Sequence, residues 1–142
     1  VLVGRGILKE NLLKYIKEKN LGKKIKLIKY TDNPFKLIKQ ADIFILSSKF
    51  EGLPNVLLEA TVLKKFIISS NCPTGPREIL LNGRGGLLFK TGNHIELSKK
   101  ILFYKMNKKK CNIMLRKTYK ELWRFDYKYN LEKYYNLIKN FN

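Results

Sequence analysis

The sequence predicts an α/β fold in which a parallel sheet carries helices on both faces. Three observations support this. Short apolar runs recur at residues 1–3, 25–28, 43–46 and 66–69, separated by segments whose apolar residues follow a helical spacing. The run Ile43-Phe44-Ile45-Leu46 has no polar alternation, which fits a strand covered on both sides. The connections are short and place glycine or proline where a strand gives way to a helix, as at Gly4-Arg5-Gly6, Gly52-Leu53-Pro54 and Gly75-Pro76.

Residues 1–3 read as the end of a buried strand and Gly4-Arg5-Gly6 as its turn. Leu8, Leu12, Tyr15 and Ile16 mark the first helix, which Gly22 is expected to close in the left-handed conformation. A short strand follows at 25–28, and Thr31-Asp32-Asn33-Pro34 starts a short helix bearing Leu37 and Ile38. Beyond the strand at 43–46, residues 54–63 read as a helix with Pro54 in its first turn. Residues 66–69 read as a strand, and 76–80 as a short helix closed by Asn82-Gly83. Gly85-Gly86-Leu87-Leu88-Phe89 supplies a last strand. Asn93 and Glu96 then form a capping box for a helix with Leu97, Ile101 and Leu102 on one side. From Lys108 the chain is helical and strongly basic, with Cys111, Leu115, Thr118 and Leu122 on one stripe. Asp126 caps a further helix whose Leu131, Tyr134, Tyr135 and Ile138 face one way. Trp123, Leu131, Tyr134 and Ile138 are expected to be covered by packing on the sheet domain and, in the intact protein, on an amino-terminal domain.

A chain of 142 residues with 44% hydrophobic content can bury a core, so overall disorder is excluded. No apolar stretch is long enough to span a bilayer as a helix. Cys72, Cys111 and His94 cannot make a Cys/His zinc site by themselves and give no disulfide framework, so a reducing, cytoplasmic setting is the default. The chain opens on a strand at Val1, which reads as a cut through a longer protein. Its 30 Lys and Arg against 11 Asp and Glu leave a net charge of +19. That surplus implies an anionic partner: a nucleic acid, an acidic membrane surface or a phosphorylated ligand. A composition bias that has filled the solvated faces with lysine explains it equally simply. Tyr119, Trp123, Phe125, Tyr127 and Tyr129 interleave with basic residues, as in stacking on single strands. Their helical spacing favours packing, and no nucleic-acid partner is expected.

The densest chemistry lies in Ser47-Ser48-Lys49-Phe50-Glu51-Gly52-Leu53-Pro54-Asn55-Val56-Leu57-Leu58-Glu59-Ala60. It follows a buried strand, at the sheet edge where open α/β folds bind ligands. Gly52 permits close backbone approach, and the amides of the following helix start favour a phosphate or diphosphate. Glu59, one to two turns into the helix, can accept hydrogen bonds from hydroxyls attached to those phosphates, while Glu51 stands on the loop. Two carboxylates around such a gap suit a nucleotide sugar; taken singly, each also reads as an ordinary surface glutamate. A second loop, residues 69–80, offers Thr74, Gly75, Arg77 and Glu78 at the same edge, and equally reads as a structural helix start. Gly4 and Gly6 form a third glycine turn there, without the third glycine of the dinucleotide fingerprint. His94 reads as an exposed first-turn residue and Cys72 as no nucleophile.

The segment from Glu51 to Ala60, with seven residues between Glu51 and Glu59, resembles the Glu-x7-Glu signature of the retaining glycosyltransferases of family 4. The Gly-x-Gly turn, Ala41-Asp42-Ile43-Phe44-Ile45-Leu46-Ser47-Ser48, Pro73-Thr74-Gly75-Pro76-Arg77-Glu78-Ile79, Asn82-Gly83 and Gly86-Leu87-Leu88-Phe89 agree with it, over roughly residues 1–105. Lys64-Lys65 stands where that family usually has a glycine turn.

The resemblance implies a GT-B architecture of two Rossmann-like domains, this chain being the carboxyl-terminal, donor-binding one. Residues 1–107 would form the Rossmann-like nucleotide-sugar domain and 108–142 the helices that pack on it and reach toward an amino-terminal domain. It implies transfer of a sugar from a nucleoside diphosphate sugar, a UDP-sugar in the first instance, to a glycan or lipid-linked acceptor, with retention of configuration. By the same resemblance Glu59 holds the ribose hydroxyls and Glu51 contacts the transferred sugar. Gly52 and Leu53 offer amides to the diphosphate and sugar. Pro54, Asn55, Thr74, Gly75, Arg77, Gly4 and Gly6 complete the donor-site candidates. No metal and no other cofactor is implied. An anionic membrane surface, at the inner face of the membrane, is the further partner that charge and resemblance together name. The alternative is a catalytically silent module that binds nucleotide sugar or docks on membranes.

Overall fold

The computed structural model describes residues 1–140, and the chain divides into two compact units between Pro34 and Phe35. In the first unit, strand β1 (Leu2–Val3) leads into helix α1 (Lys9–Glu18) and returns in strand β2 (Leu27–Ile28), which pairs in parallel with β1 through Leu2–Leu27 and Val3–Ile28. Only Ile16 of this unit is buried, and Leu2 and Val3 are exposed, so the expected burial of the first strand is not met. The left-handed residue after α1 is Asn20 at φ 53°, not Gly22. The asparagine tolerates that region, and its amide closes the helix onto the Lys17 carbonyl at 3.0 Å.

From Phe35 on, the chain builds three layers. Helix α2 (Pro34–Gln40) ends before strand β3 (Ile43–Leu46), followed by α3 (Asn55–Val62), β4 (Phe66–Ser70), α4 (Pro76–Ile79), a 3-10 turn at Leu81–Gly83 and β5 (Leu87–Phe89). The three strands are parallel, in the order β3-β4-β5. The five strands therefore form two separate sheets rather than the single one expected. Central β4 is buried along its whole length. Its alternation sorts the core: Ile67 joins Ile38, Leu57, Ala60, Ile79 and Leu80, whereas Phe66 and Ile68 join Phe89 and Cys111. Edge strand β3 is only half covered, with Ile45 exposed, which tempers the expectation of cover on both sides.

Helices α5 (His94–Met106) and α6 (Lys108–Lys120) supply the second cover. The Asn93 side chain caps α5, accepting from the Glu96 amide at 2.9 Å. The Glu96 carboxylate reaches back to the Lys90 amide at 2.8 Å instead of closing the box on Asn93. The Tyr104 ring stacks on Phe66 at 5.3 Å, and its hydroxyl donates to the Asp42 carbonyl at 3.0 Å. Gly85 and Gly86 precede β5 instead of belonging to it. A β-carbon on Gly86 would come within 2.8 Å of Leu80 and 2.9 Å of the Ile67 carbonyl.

A second 3-10 turn (Leu122–Phe125) leads to α7 (Tyr127–Lys139), capped by Asp126, which accepts from the Tyr129 amide at 2.9 Å. The Trp123 ring meets Tyr129 edge-on at 4.9 Å. Cover of Trp123, Leu131, Tyr134 and Ile138 by the sheet is not met: all four are exposed within this chain, Tyr134 by 66%. Cover for the tail comes through α6, where Cys111 and Thr118 are buried, and through Phe125. Lys64, in the turn before β4, adopts φ 56°, and its ammonium lies 5.6 Å from the Tyr119 ring centre. A lysine thus occupies a left-handed turn that a glycine would fill without steric cost.

Candidate functional site

The carboxyl ends of β3 and β4 release two loops, and hydrogen bonds from side-chain hydroxyls to backbone carbonyls lock them together. Ser70, the last residue of β4, donates its hydroxyl to the Ser48 carbonyl at 2.6 Å. The Thr74 hydroxyl donates to the Glu51 carbonyl. Gly75 has φ +83°, and a β-carbon there would strike the Gly52 carbonyl oxygen and the Pro54 ring. Only a glycine satisfies both the torsion and the contact.

Helix α3 rises from this junction. Pro54 takes the cap position, with ψ 92°, rather than the first helical turn; its carbonyl accepts from the Leu57 amide at 2.9 Å. Leu57, Ala60 and Thr61 recur at helical spacing and are buried, which leaves Glu59 on the flank, half-buried. Glu51 is half-buried on the loop itself. Among the described residues neither carboxylate has a hydrogen-bond or ion-pair partner, although Lys and Arg outnumber Asp and Glu 30 to 11.

The sequence candidates fall into three groups. Glu51, Gly52, Leu53, Pro54, Asn55, Glu59, Thr74 and Gly75 belong to the locked loops or to the helix they start. Arg77 is exposed in the first turn of α4, with no carboxylate partner among the described residues. Gly4 and Gly6 lie in the first unit, where the Gly4 amide donates to the Ile28 carbonyl at 3.0 Å and the Arg5 guanidinium stacks over Tyr30 at 4.7 Å. Open space surrounds Gly4, Gly6 and Gly52 where a side chain would stand. His94 is exposed and Cys72 buried, its thiol facing the Thr74 carbonyl.

One feature of this edge escaped the sequence reading. A cleft of about 470 Å³ opens beside Asn71, Leu88, Phe89, Lys90, Thr91 and Glu96, at the carboxyl ends of β4 and β5. The signal for it was position alone: Asn71 and Lys90 each follow a strand directly. The Glu96 carboxyl titrates below the usual glutamate range, chiefly because the Lys90 amide donates to it. Among the described residues no group of three or more His, Cys, Asp or Glu converges to hold a metal ion, and no helix is long and apolar enough to cross a membrane.

The sequence profile of glycosyl transferases group 1 matches residues 1–121. The chain belongs to that family. Members that resemble it include an N-acetylgalactosaminyltransferase of Campylobacter jejuni that acts on a diphospho-undecaprenol-linked sugar, 36% identical over 93 residues, 66% of this chain and 26% of that protein. A glycosyltransferase of Methanocaldococcus jannaschii is 44% identical over 80 residues, 56% of this chain and 20% of that protein. The chain thus spans about a quarter or less of these curated relatives. Among solved structures, Staphylococcus aureus TarM, crystallised with UDP, superposes with TM-score 0.83 at 25% identity, over 95% of this chain and 28% of that one. Anabaena HepE, also solved with UDP, superposes with TM-score 0.86 at 19% identity, over 98% of this chain and 40% of that one. The fold is that of a Rossmann-like GT-B carboxyl-terminal domain.

Proposed function

We propose that this chain is the donor half of a retaining glycosyltransferase, holding a nucleoside diphosphate sugar, of which a UDP-sugar is the first to test, while an amino-terminal domain of the full-length protein presents the acceptor. The observation that carries it is the locked pair of loops: Thr74 and Gly75 fix the backbone at Glu51 and Gly52, and Glu51 and Glu59 stand unpaired on either side of a helix start. Family membership and relatives named for a diphospho-undecaprenol-linked sugar and for poly(ribitol-phosphate) support the same reading.

In this reading the Gly52 and Leu53 amides and the first turn of α3 face the diphosphate, where the helix start favours negative charge. Pro54 and Asn55 shape that start, and Arg77 adds positive charge to meet the negative charge that grows on the departing phosphate. Glu59 accepts from the ribose hydroxyls. Glu51 accepts from the sugar and orients it for attack by the acceptor hydroxyl on the face that the leaving group vacates. Gly4 and Gly6 leave their turn open to the donor. No metal is required, since helix amides and basic side chains carry the charge. The acceptor is a glycan or a lipid-linked sugar, reached at the inner face of an anionic membrane.

Calorimetry of the chain with UDP and UDP-sugars, with and without a chelator, tests this. Binding that survives the chelator is expected. An absence of binding by any nucleoside diphosphate at millimolar concentration, or its loss on chelation, overturns the reading.

A further inference from the structure

A second basic site lies away from the donor loops. Lys117, Lys120, Glu121 and Arg124 follow one another at intervals of three, one and three, which places them on one face of α6 and the turn that continues it. Arg84, on the connection that enters the amino end of β5, meets that face, and with Leu81 these residues line a cavity of about 500 Å³. The donor loops, by contrast, leave the carboxyl ends of β3 and β4.

Two features make the cavity more than a stretch of surface lysine. First, its two guanidinium groups are held. The Arg84 Nε donates to the Leu81 carbonyl at 3.2 Å. The Arg124 Nε donates to the Glu121 carbonyl at 3.3 Å, and its Nη2 to the Glu78 carbonyl at 3.3 Å. Anchoring through Nε leaves both terminal nitrogens of Arg84 available for a planar, two-point contact with an oxyanion. Second, the charges do not cancel. Glu121 is the one carboxylate in the lining, and it pairs with Arg124 at 3.5 Å, so Arg84, Lys117 and Lys120 have no acidic partner among the described residues. Lys117 and Lys120 also complement the negative end of α6, but that leaves Arg84 unexplained, since it comes from another element. The backbone that delivers Arg84 is unusual too: Leu81 and Asn82 both hold left-handed torsions, φ 55° and 56°. Such backbone is uncommon for a branched residue and persists where the surroundings fix it.

We propose that Arg84, Lys117, Lys120 and Arg124 form a phosphate-binding pocket separate from the donor site, with Leu81 as its apolar wall. Its ligand is a phosphate monoester or diphosphate group, carried either by a lipid headgroup or by a soluble molecule.

The test uses the whole chain at roughly physiological ionic strength, where the screening length is about 8 Å and diffuse attraction to the +19 charge is weakened. Inorganic diphosphate is titrated with amide shifts as the readout, and co-sedimentation is measured with phosphatidylcholine vesicles with and without phosphatidic acid, whose headgroup is a phosphate monoester. Two variants remove the same charge: Arg84→Gln with Lys120→Gln in the pocket, and Lys9→Gln with Lys17→Gln on α1. Lys117→Gln alone serves as a second pocket variant if the double one fails to fold. Diphosphate is expected to shift amides of residues 81–84 and 117–124. The pocket variants should bind roughly tenfold more weakly or worse, and the α1 variant unchanged. Saturating UDP and Glu59→Ala should leave this binding intact, so its outcome is independent of the donor reading. Pocket-dependent binding of vesicles alone assigns the headgroup, and of diphosphate alone the soluble source. Equal loss in the pocket and α1 variants, or binding that no pocket variant alters in either arm, overturns the proposal.

Discussion

Gly85 and Thr118 are in direct contact: the backbone of Gly85 lies so close to the Thr118 hydroxyl that any β-carbon at position 85 would overlap it. The contact seats α6 against the connection into β5, and Thr118 is 2% exposed, its hydroxyl without a hydrogen-bond partner among the described residues. Gly85→Ala is therefore expected to destabilise the chain by about 1–3 kcal/mol in urea unfolding. Thr118→Ala in the same chain removes the colliding oxygen, and the double variant should recover part of the loss. Additive costs would show that the contact does not set the spacing.

The Gly75 contact makes a different prediction. Alanine at φ +83°, against the Gly52 carbonyl, must displace the loop that carries Glu51. Gly75→Ala should cost about 1–3 kcal/mol of stability and weaken UDP binding by more than tenfold, a change of about 1.4 kcal/mol or more. UDP affinity unchanged in a variant that still folds would separate the loop lock from donor binding.

Glu59 and Glu51 should separate by ligand. Glu59→Ala is expected to weaken both UDP and UDP-sugar by about 1–3 kcal/mol, through lost ribose hydrogen bonds. Glu51→Ala should spare UDP and weaken only the sugar-bearing donor. Calorimetry with the two ligands in parallel reads the difference, and identical effects of both substitutions on both ligands would contradict the assignment.

Acid should loosen the start of α5. Glu96 accepts from the Lys90 amide and stands 3.6 Å from the Lys100 ammonium, so its folded carboxyl titrates below the ordinary value of 4.5. Its contribution is fully present above that ordinary value and disappears as pH falls through the lowered folded one. The stability difference between the native chain and Glu96→Gln, followed by urea unfolding, is expected to shrink as pH drops below about 4.5. A difference that grows toward acid would reverse the sign and refute the cause.

The tail should divide between its helices. α6 buries Cys111 and Thr118, whereas α7 buries no residue. A chain ending at Phe125 should keep cooperative unfolding, while one ending at Asn107 should lose it. Hydrogen exchange should show protected amides in α6 and faster exchange in α7.

Sequence patterns reached the elements better than their surroundings. β4 and α3 were legible because Phe66-Ile67-Ile68 and Leu57/Ala60 bury themselves locally, and Asp126 caps α7 by a contact only three residues long. The α7 stripe misled because an amphipathic face records a need for cover and not the identity of what covers it; Leu131 and Tyr134 stay exposed within this chain. Val1 to Val3 misled in the same way. The Glu-x7-Glu spacing was visible, but the lock of Thr74 and Gly75 onto Glu51 and Gly52 joins residues 23 apart, a distance that no local pattern encodes. The basic cavity was hidden for the same reason, since Arg84 and Lys117 come together only in three dimensions.

The two thiols are built-in clocks. Cys72 is 1% exposed in the loop after β4, with its sulfur toward the Thr74 carbonyl, and Cys111 is 0% exposed in the core that α6 shares with Phe66 and Phe89, where burial pushes its thiol up. Neither can meet an alkylating reagent until its own neighbourhood opens. Labelling kinetics at Cys72 would time the release of the loop after β4, and those at Cys111 the lifting of α6, within one unmutated chain.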